Sequence, residues 1–283
     1  MLSQKGKTTS SPSRPPKLRL GHEELALVLW LLKAPSVLGM GSDMFGHLSE
    51  AEILVALASA DHSLRAKGLL RVDDHAKKVK LSQLVLVLVG ACALSQLTLS
   101  LTHERGEQDK TVCLIHYRHP VFVQHSNPEL GVHEFEELRS REAVLRRVRK
   151  ILDLHSQPEA PGKVARLRSS DWQQASELAT QGKASEVSEM LTRAGLDDLS
   201  ARVISHGLAA LESKSIVTLQ PGNEIHDLQP ETLLFFEGGG GMWRLQEESD
   251  GGVVVCEPSS ASAIARSLNQ TIERACEGVI RLR

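Results

Sequence analysis

Apolar residues recur at two spacings along this chain, and the spacing separates helical from strand segments. From Glu23 the apolar positions follow a helical period, which stops near Pro35. The segment SEAEILVALASA then opens with a capping-box pattern and predicts a second helix. That helix is expected to bury Ile53, Leu54 and Leu57.

The period changes after a third, apolar helix that starts at about Ser82. Residues 97–104 and 111–117 alternate with a period of two, and VFVQH repeats the alternation, so an antiparallel hairpin is predicted here. A long amphipathic helix is predicted next, in VHEFEELRSREAVLRRVRKILDL. Its apolar face is formed by Phe135, Leu138, Leu145, Val148 and Leu152.

The second half of the chain repeats this order of elements. Gly68 matches Gly207, Thr111 matches Val253, and the segment TLLFFEGGGGMWRLQEESDGGVVVCEP matches the first hairpin. A terminal helix follows, with an apolar face made of Ile264, Leu268, Ile272 and Cys276. The predicted fold is therefore α+β, a quasi-two-fold duplicated unit with a central antiparallel β-sheet flanked by two helical bundles.

The pattern also predicts boundaries. Residues 1–16 are rich in Ser, Pro and basic residues and are expected to be a disordered tail. Residues 17–154 and 164–283 form the two α/β-hairpin halves, joined by a Pro- and Gly-containing linker at 155–163. Both halves are expected to make up one intimate domain.

Composition narrows the class of protein. The formal net charge is −2 and charged residues are 24%, so no global field favours nucleic acid. Aromatic residues are only 3%, which makes each exposed one informative. No apolar run reaches the roughly 20 residues that a membrane span needs. Four scattered cysteines, without CxxC spacing, indicate buried thiols and a cytoplasmic location: Cys92, Cys113, Cys256 and Cys276.

The four glycines at 238–241 raise the possibility of a phosphate-binding loop. A Walker loop needs Lys and Ser or Thr after its glycines, whereas Met242 and Trp243 follow here. A flexible strand connection is the simpler interpretation. Around this flexible loop, four apolar residues are predicted to form an adaptable partner-binding surface, with the lining of a core as the alternative: Phe235, Phe236, Met242 and Trp243.

Histidine and arginine clusters suggest metal or nucleic-acid binding, and neither interpretation is favoured. His116 and His119 should point to opposite faces of a strand, and no ligand spacing for zinc is present among the five clustered histidines, His103, His116, His119, His125 and His133. The basic cluster lacks interleaved aromatic residues. It consists of Arg139, Arg141, Arg146, Arg147, Arg149 and Lys150. No catalytic residue, metal or cofactor is predicted.

The element order resembles that of the EspG family, chaperones associated with ESX (type VII) secretion. The resemblance spans about residues 20–280 and lies in the opening helix LGHEELALVLWLL, the Pro/Gly break after it, and the terminal pattern MWRLQEESDGGVVVCEPSSASAIARSLNQTI. This chain departs from the family in being poor in aromatic residues and rich in histidine. The polyglycine connection has no residue-by-residue match.

The resemblance implies a non-enzymatic cytoplasmic protein that keeps a helical secreted partner from aggregating. The partner class that it implies is that of PE/PPE-like proteins. The resemblance carries no expectation of membrane binding and leaves monomer and dimer open. The alternative function is a tandem winged-helix DNA-binding regulator, suggested by helices that precede each hairpin. Against it, the segments in the recognition-helix position are rich in Leu, Val and Ala and should face a core.

Overall fold

The structure is a computed structural model, which describes residues 15–34, 36–40, 45–46, 48–73, 78–106, 109–155, 159–222, 229–239, 241–248 and 252–281. Most of the predicted tail and part of the predicted linker, residues 1–14 and 156–158, lie outside this description, as does Gly240.

Each half of the chain contributes five strands to one sheet. The first half consists of β1 (Lys17–Gly21), α1 (His22–Leu32), α2 (Glu50–Ala66), β2 (Leu70–Asp73), β3 (Lys78–Leu81), α3 (Gln83–Ala93), β4 (Leu97–Arg105), β5 (Asp109–Arg118), β6 (Val121–Glu129), β7 (Val132–Leu138) and α4 (Arg141–Ile151). The second half consists of β8 (Ala165–Arg168), α5 (Ser169–Thr180), α6 (Ala184–Arg193), α7 (Asp198–Ala209), β9 (Leu211–Pro221), β10 (Glu231–Gly238), β11 (Gly241–Glu247), β12 (Val253–Ser259) and α8 (Ala261–Arg281).

The sheet is antiparallel and mirrors the duplication. Its order is β1-β7-β6-β5-β4-β9-β10-β11-β12-β8, and β2 and β3 form a separate hairpin. From the centre to the edge, the order β4-β5-β6-β7-β1 in the first half corresponds to β9-β10-β11-β12-β8 in the second. The halves meet where β4 pairs with β9, with Leu101 opposite Val217. The predicted quasi-two-fold α+β fold is confirmed.

Helices cover the two faces of the sheet differently. On one face, α4 and α8 pack over the centre, and Leu101 and Val217 share a core with Ile264 and Leu268. On the other face, α1, α2 and α3 cover the outer strands of the first half, where Phe135 is buried. The helices α5, α6 and α7 cover the outer strands of the second half, where Trp243 is buried. Only this second face carries two separate bundles.

Two parts of the sequence prediction need correction. Phe135 and Leu138 lie on strand β7, so the amphipathic helix begins only at Arg141. Pairing of β7 with β1 and β6 satisfies its backbone, and this tertiary pairing outweighs the helical spacing of the two residues. The terminal helix α8 is as predicted, with its apolar face buried at Ile264, Leu268, Ile272 and Cys276.

The correspondence between the halves is shifted by one strand from the predicted one. Thr111 lies on β5, whose topological counterpart is β10, whereas Val253 lies on β12. The segment that contains the glycine run, β10–β11, is therefore the counterpart of β5–β6. The predicted correspondence did not include the strand β9, which is the counterpart of β4. Both predicted wings are strands of the shared sheet, so tandem winged-helix units are not formed.

The described glycines of the run, Gly238, Gly239 and Gly241, lie at the turn of the β10–β11 hairpin and pack against the rest of the second half. Gly238 pairs with Gly241 across the hairpin, and Gly239 has a φ of +64°. A Cβ on Gly241 would lie 2.3 Å from the Cα of Ala160. Glycine is therefore required here for close backbone approach as well as for the turn.

Candidate partner-binding surface

The four apolar residues expected to bind a partner are all buried. Phe235 and Met242 face the core under α4 and α8, whereas Phe236 and Trp243 face the core under α5, α6 and α7. Their alternation follows the strand period. In this fold a partner could reach none of the four without a rearrangement, so they line the core as the alternative interpretation held.

A different surface lies between the two helical bundles. The strands β4 and β9 are covered by α4 and α8 on one side only, and their other side is partly open. We call this surface the central floor. The register places its residues on the bundle side, since Ser100 lies opposite Thr218, Thr102 opposite Ile216, and Thr218 opposite Thr232. It consists of Ser100, Thr102, Ile216, Thr218 and Thr232, each half-buried or exposed.

The central floor is uncharged and carries mostly β-branched side chains. Thr218 and Thr232 are hydrogen-bonded through their hydroxyls at 3.3 Å. Val112, opposite Thr102, extends the floor onto β5 and is 51% exposed. Stiff β-branched side chains lose little rotamer entropy on contact, which favours binding of a flat apolar or mixed surface.

Charged residues mark one end of the floor. Glu104 forms an ion pair with Lys110, with 2.7 Å between Oε1 and Nζ, and lies opposite Lys214 on β9. The hydrogen bond from Lys110 is the main cause that lowers the pKa of Glu104, and the charge of Lys214 acts in the same direction. This end therefore offers two ammonium groups around one carboxylate, an arrangement that attracts an acidic partner group.

A cavity of about 350 Å³ marks the other end of the floor. It lies where the end of α3 meets the end of β9, and both polar and apolar side chains line it. Its lining includes Leu38, Leu94, Thr98, Gln220 and Pro221. The central floor thus runs from a mixed cavity to a charged end.

The width of the floor suits a helix. Strands lie about 4.8 Å apart, so the four strands from β5 to β10 span roughly 14 Å. A helix with its side chains is about 10–12 Å across. The strip of sheet formed by these four strands is therefore about as wide as one helix.

The first two turns of α2 form a second exposed apolar area, which consists of Ile53, Leu54 and Val55 and which we call the α2 stripe. Its exposure corrects the prediction that Ile53 and Leu54 are buried. Leu54 and Val55 are 68% and 70% exposed, and Ile53 is only partly buried. The core side of α2 is formed later, by Leu57, Ala60 and Leu64. In the topologically equivalent helix α6, the outward residues are polar, Ser185, Glu186, Glu189 and Thr192. The fold therefore does not require apolar residues at this position.

We expect a double change of Leu54 and Val55 to Gln to leave the free energy of unfolding within about 0.5 kcal/mol of the wild type, because neither side chain is in the core. The matched change Leu64→Ala, in the buried part of the same helix, should cost about 2–5 kcal/mol. Urea denaturation measures both. A loss of stability in the double variant similar to that of Leu64→Ala would contradict the exposed stripe.

The basic cluster is partly used within the fold. Arg147 donates to Gln124 and forms an ion pair with Glu136, and Arg141 forms an ion pair with Glu273 of α8. The shallow cavity beside Arg146 and Lys150 is also lined by Glu136 and Glu137. These carboxylates reduce the positive potential that phosphate binding would need.

The remaining chemical candidates are accounted for within the fold. His116 faces the bundles, while His119 hydrogen-bonds Tyr117 on the other side, as predicted. Among the described residues, no group of three His, Cys, Asp or Glu side chains could hold a metal ion. All four cysteines are buried and unbridged, and burial raises the pKa of each thiol. In the described part of the chain, no helix is long and apolar enough to cross a membrane.

The sequence contained a signal for the central floor. In LTLSLT the residues Leu97, Leu99 and Leu101 are apolar, and the residues between them are small hydroxyl side chains. Such alternation indicates a strand with one face outside the core. Only the topology shows that two such strands from different halves lie side by side.

Comparison with solved structures confirms the EspG-like fold. The chain is similar to the type VII secretion system chaperone EspG5 of Mycobacterium tuberculosis, solved in complex with a PE25-PPE41 dimer, with a TM-score of 0.62 and 12% identity. The similarity covers 88% of this chain and 93% of that one. No curated protein matches at a significant level. The model of a family described as uncharacterised protein YfjC matches residues 38–214, more than half of the sequence. This chain therefore belongs to the YfjC family.

Proposed function

We propose that this protein is a non-enzymatic, cytoplasmic, chaperone-like binding protein. It holds a helical protein partner against the central floor and so keeps the apolar surface of that partner from aggregating. The observation that carries the proposal is the floor itself, a half-open and uncharged strip of sheet of helix width between two bundles. A protein whose described residues leave such a strip partly open has a surface suited to contact with another molecule.

The partner class follows from the shape and the ends of the floor. A helix that fits between the bundles would place an apolar side on Val112 and Ile216. Acidic groups of the partner would find Lys110 and Lys214 at the charged end. The EspG-like fold supports a helical secreted partner of the PE/PPE type, because EspG5 was solved as a chaperone bound to a PE25-PPE41 dimer.

The test compares two variants of this chain in a capture experiment. The floor variant carries Ile216→Arg and Thr218→Arg, which place two long charged side chains on the floor. The control variant carries Leu199→Arg, a change on α7 at a side chain that is 61% exposed and away from β9. Circular dichroism and thermal unfolding establish that both variants are folded before capture is compared.

We expect wild type and the Leu199→Arg control to retain the same helical protein from a native lysate, identified by mass spectrometry. The floor variant should bind that purified protein at least about tenfold more weakly, since burying an unpaired charge opposes docking. Equal affinity of the floor variant and the control would reject the floor as the binding site. Chaperone activity is then read as turbidity of the partner, with and without an equimolar amount of wild type.

A further inference from the structure

Four histidines from four elements form one network beneath the first helical bundle. Nδ1 of His22 on α1 lies 3.0 Å from Nε2 of His133 on β7. Nδ1 of His133 lies 3.0 Å from Nε2 of His125 on β6, whose ring stacks on Phe135. His116 on β5 is next to His125, with 5.9 Å between ring centroids. The network therefore joins the start of the first bundle to three strands of the sheet.

The hydrogen bonds that His133 makes to its neighbours are consistent with neutral rings, whereas Nδ1 of His125 is buried and has no hydrogen-bond partner among the described residues. The side-chain amide of Asn127 donates to Nδ1 of His133 at 3.1 Å, so this nitrogen is an acceptor. His125 then donates to the same nitrogen through Nε2–H. His133 in turn donates through Nε2–H to Nδ1 of His22. The single lone pair on Nδ1 of His133 is thus shared by two donors, and His125 and His133 each carry one proton.

A further proton on His133 would break this arrangement, and one on His116 would be left without a partner. Protonation of His133 at Nδ1 would turn an acceptor shared by two donors into a third donor. In His116, Nδ1 lies 3.2 Å from the Thr98 hydroxyl, while Nε2 is buried and has no hydrogen-bond partner among the described residues. A proton added there would leave a buried charged N–H unpaired, which is costly.

Among the described residues, no carboxylate forms a hydrogen bond or an ion pair with a ring of this network. On α1, Glu24 is bound to Lys67, Ser63 and the backbone N–H of Gly21. Three carboxylates of the neighbouring strands lie on the opposite face of the sheet and pair with basic residues there, Glu129 with Arg19, Glu134 with Lys17 and Glu136 with Arg147. Glu137 lies on the bundle face at the far end of β7, four residues from His133 and opposite Val123. On β5, Arg118 donates to the carbonyl of Leu94, and on α3, burial keeps the thiol of Cys92 neutral.

Electrostatics therefore favour neutral rings. Burial is the main cause that lowers the pKa of His116 to about 3 and the pKa values of His125 and His133 to about 4, and neighbouring histidines act in the same direction. The backbone of Leu38 favours a proton on His125, but burial outweighs it. All three values lie below 6.5, the ordinary pKa of histidine.

We propose that this histidine network is an acid-sensitive clasp, which holds α1, α2 and α3 on the sheet while its rings are neutral and releases them when the rings are protonated. The clasp does not depend on the proposed partner binding. Below pH 6.5 the folded state binds fewer protons than the unfolded state. The free energy of unfolding of this half is therefore highest above that pH. It falls as the pH drops from about 6.5 towards 4.

The second half supplies an internal reference. Within the described residues, every buried histidine belongs to the first half of the chain, at positions 103, 116, 125 and 133. The equivalent core under α5, α6 and α7 is built from side chains that do not titrate in this range, including Phe236, Trp243 and Leu245. Acid should therefore loosen one bundle and leave the other in place.

Hydrogen exchange followed by mass spectrometry tests this difference, with rates corrected for the intrinsic effect of pH. Between pH 7 and pH 5 we expect the fraction of molecules in which α1 and α3 are open to exchange to rise about 1,000-fold, since each of the three buried rings contributes roughly tenfold. The open population of α5 and α7 should change much less. Equal changes in the two bundles, or no change in either, would overturn the clasp.

A variant and a spectroscopic measurement make the test specific. His116→Leu removes the unpartnered ring nitrogen and should reduce the acid response of the first bundle about tenfold, whereas His206→Leu, on the exposed side of α7, should not alter it. If His116→Leu does not fold, NMR of the imidazole rings in the wild type provides an independent test. The rings of His116, His125 and His133 should stay neutral in the folded protein at pH 5.5, and titration of these rings near pH 6.5 would refute the proposal.

Discussion

Replacing Gly238 with alanine is expected to destabilise the protein by about 3 kcal/mol or more, because overpacking against a rigid backbone cannot be relieved by a side-chain rotation. A Cβ at this position would lie 2.1 Å from the carbonyl oxygen of Gly207 and 3.0 Å from that of Ala210. Both oxygens belong to the last turn of α7 and the residue after it. Guanidinium denaturation of wild type and variant measures the difference in free energy of unfolding.

The control is Gly90→Ala in α3. Gly90 lies inside a helix, and no atom lies within 4 Å of a Cβ built there, apart from its chain neighbours and the nearby backbone of the helix. Alanine should therefore stabilise the protein by about 0.5–1 kcal/mol through its higher helix propensity. If Gly238→Ala behaved like Gly90→Ala, the end of α7 would not rest on the β10–β11 hairpin as the structure has it.

The glycine run shows what the sequence could and could not predict. The missing Lys and Ser or Thr ruled out a Walker loop, and the alternation of the flanking residues predicted a strand connection. Flexibility was inferred from glycine alone. The structure instead shows close packing of Gly238 on Gly207 and of Gly241 on Ala160, contacts between segments that are distant in sequence.

Much of the fold followed from local patterns. The helix α8 and the strands β4 and β5 were predicted because their apolar spacing is regular and agrees with their burial. β7 was misassigned, because Phe135 and Leu138 are three residues apart and continue into the true helix α4. Strand pairing with β1 and β6 decided the structure there, and pairing cannot be read from a single segment.

The candidate site depends on information that no single segment holds. Whether the open face of a strand is covered depends on which elements pack on it. Ser100 and Thr218 come from different halves and become neighbours only at the seam between β4 and β9. In the opposite sense, Ile53 and Leu54 were predicted to be buried with Leu57, yet Leu54 is exposed and Ile53 only partly buried, because the core side of α2 begins at Leu57.

Trp243→Ser is expected to destabilise the protein by about 3–5 kcal/mol, the range for removing a large aromatic side chain from a core. Trp243 is 1% exposed, stacks with Phe236 at a centroid distance of 6.2 Å, and packs in the core under α5, α6 and α7. The hydroxyl of serine would also be placed in an apolar environment. Thermal unfolding followed by circular dichroism measures the loss.

Trp30→Ser is the matched control, since Trp30 is 71% exposed at the end of α1 and the same substitution there should change stability by no more than about 0.5 kcal/mol. A comparable loss in both variants would contradict the burial of Trp243. The contrast also decides how partner capture has to be tested. Loss of capture in a Trp243 or Phe236 variant would report unfolding of the second half. Only variants of the central floor, which leave both cores intact, can separate binding from stability.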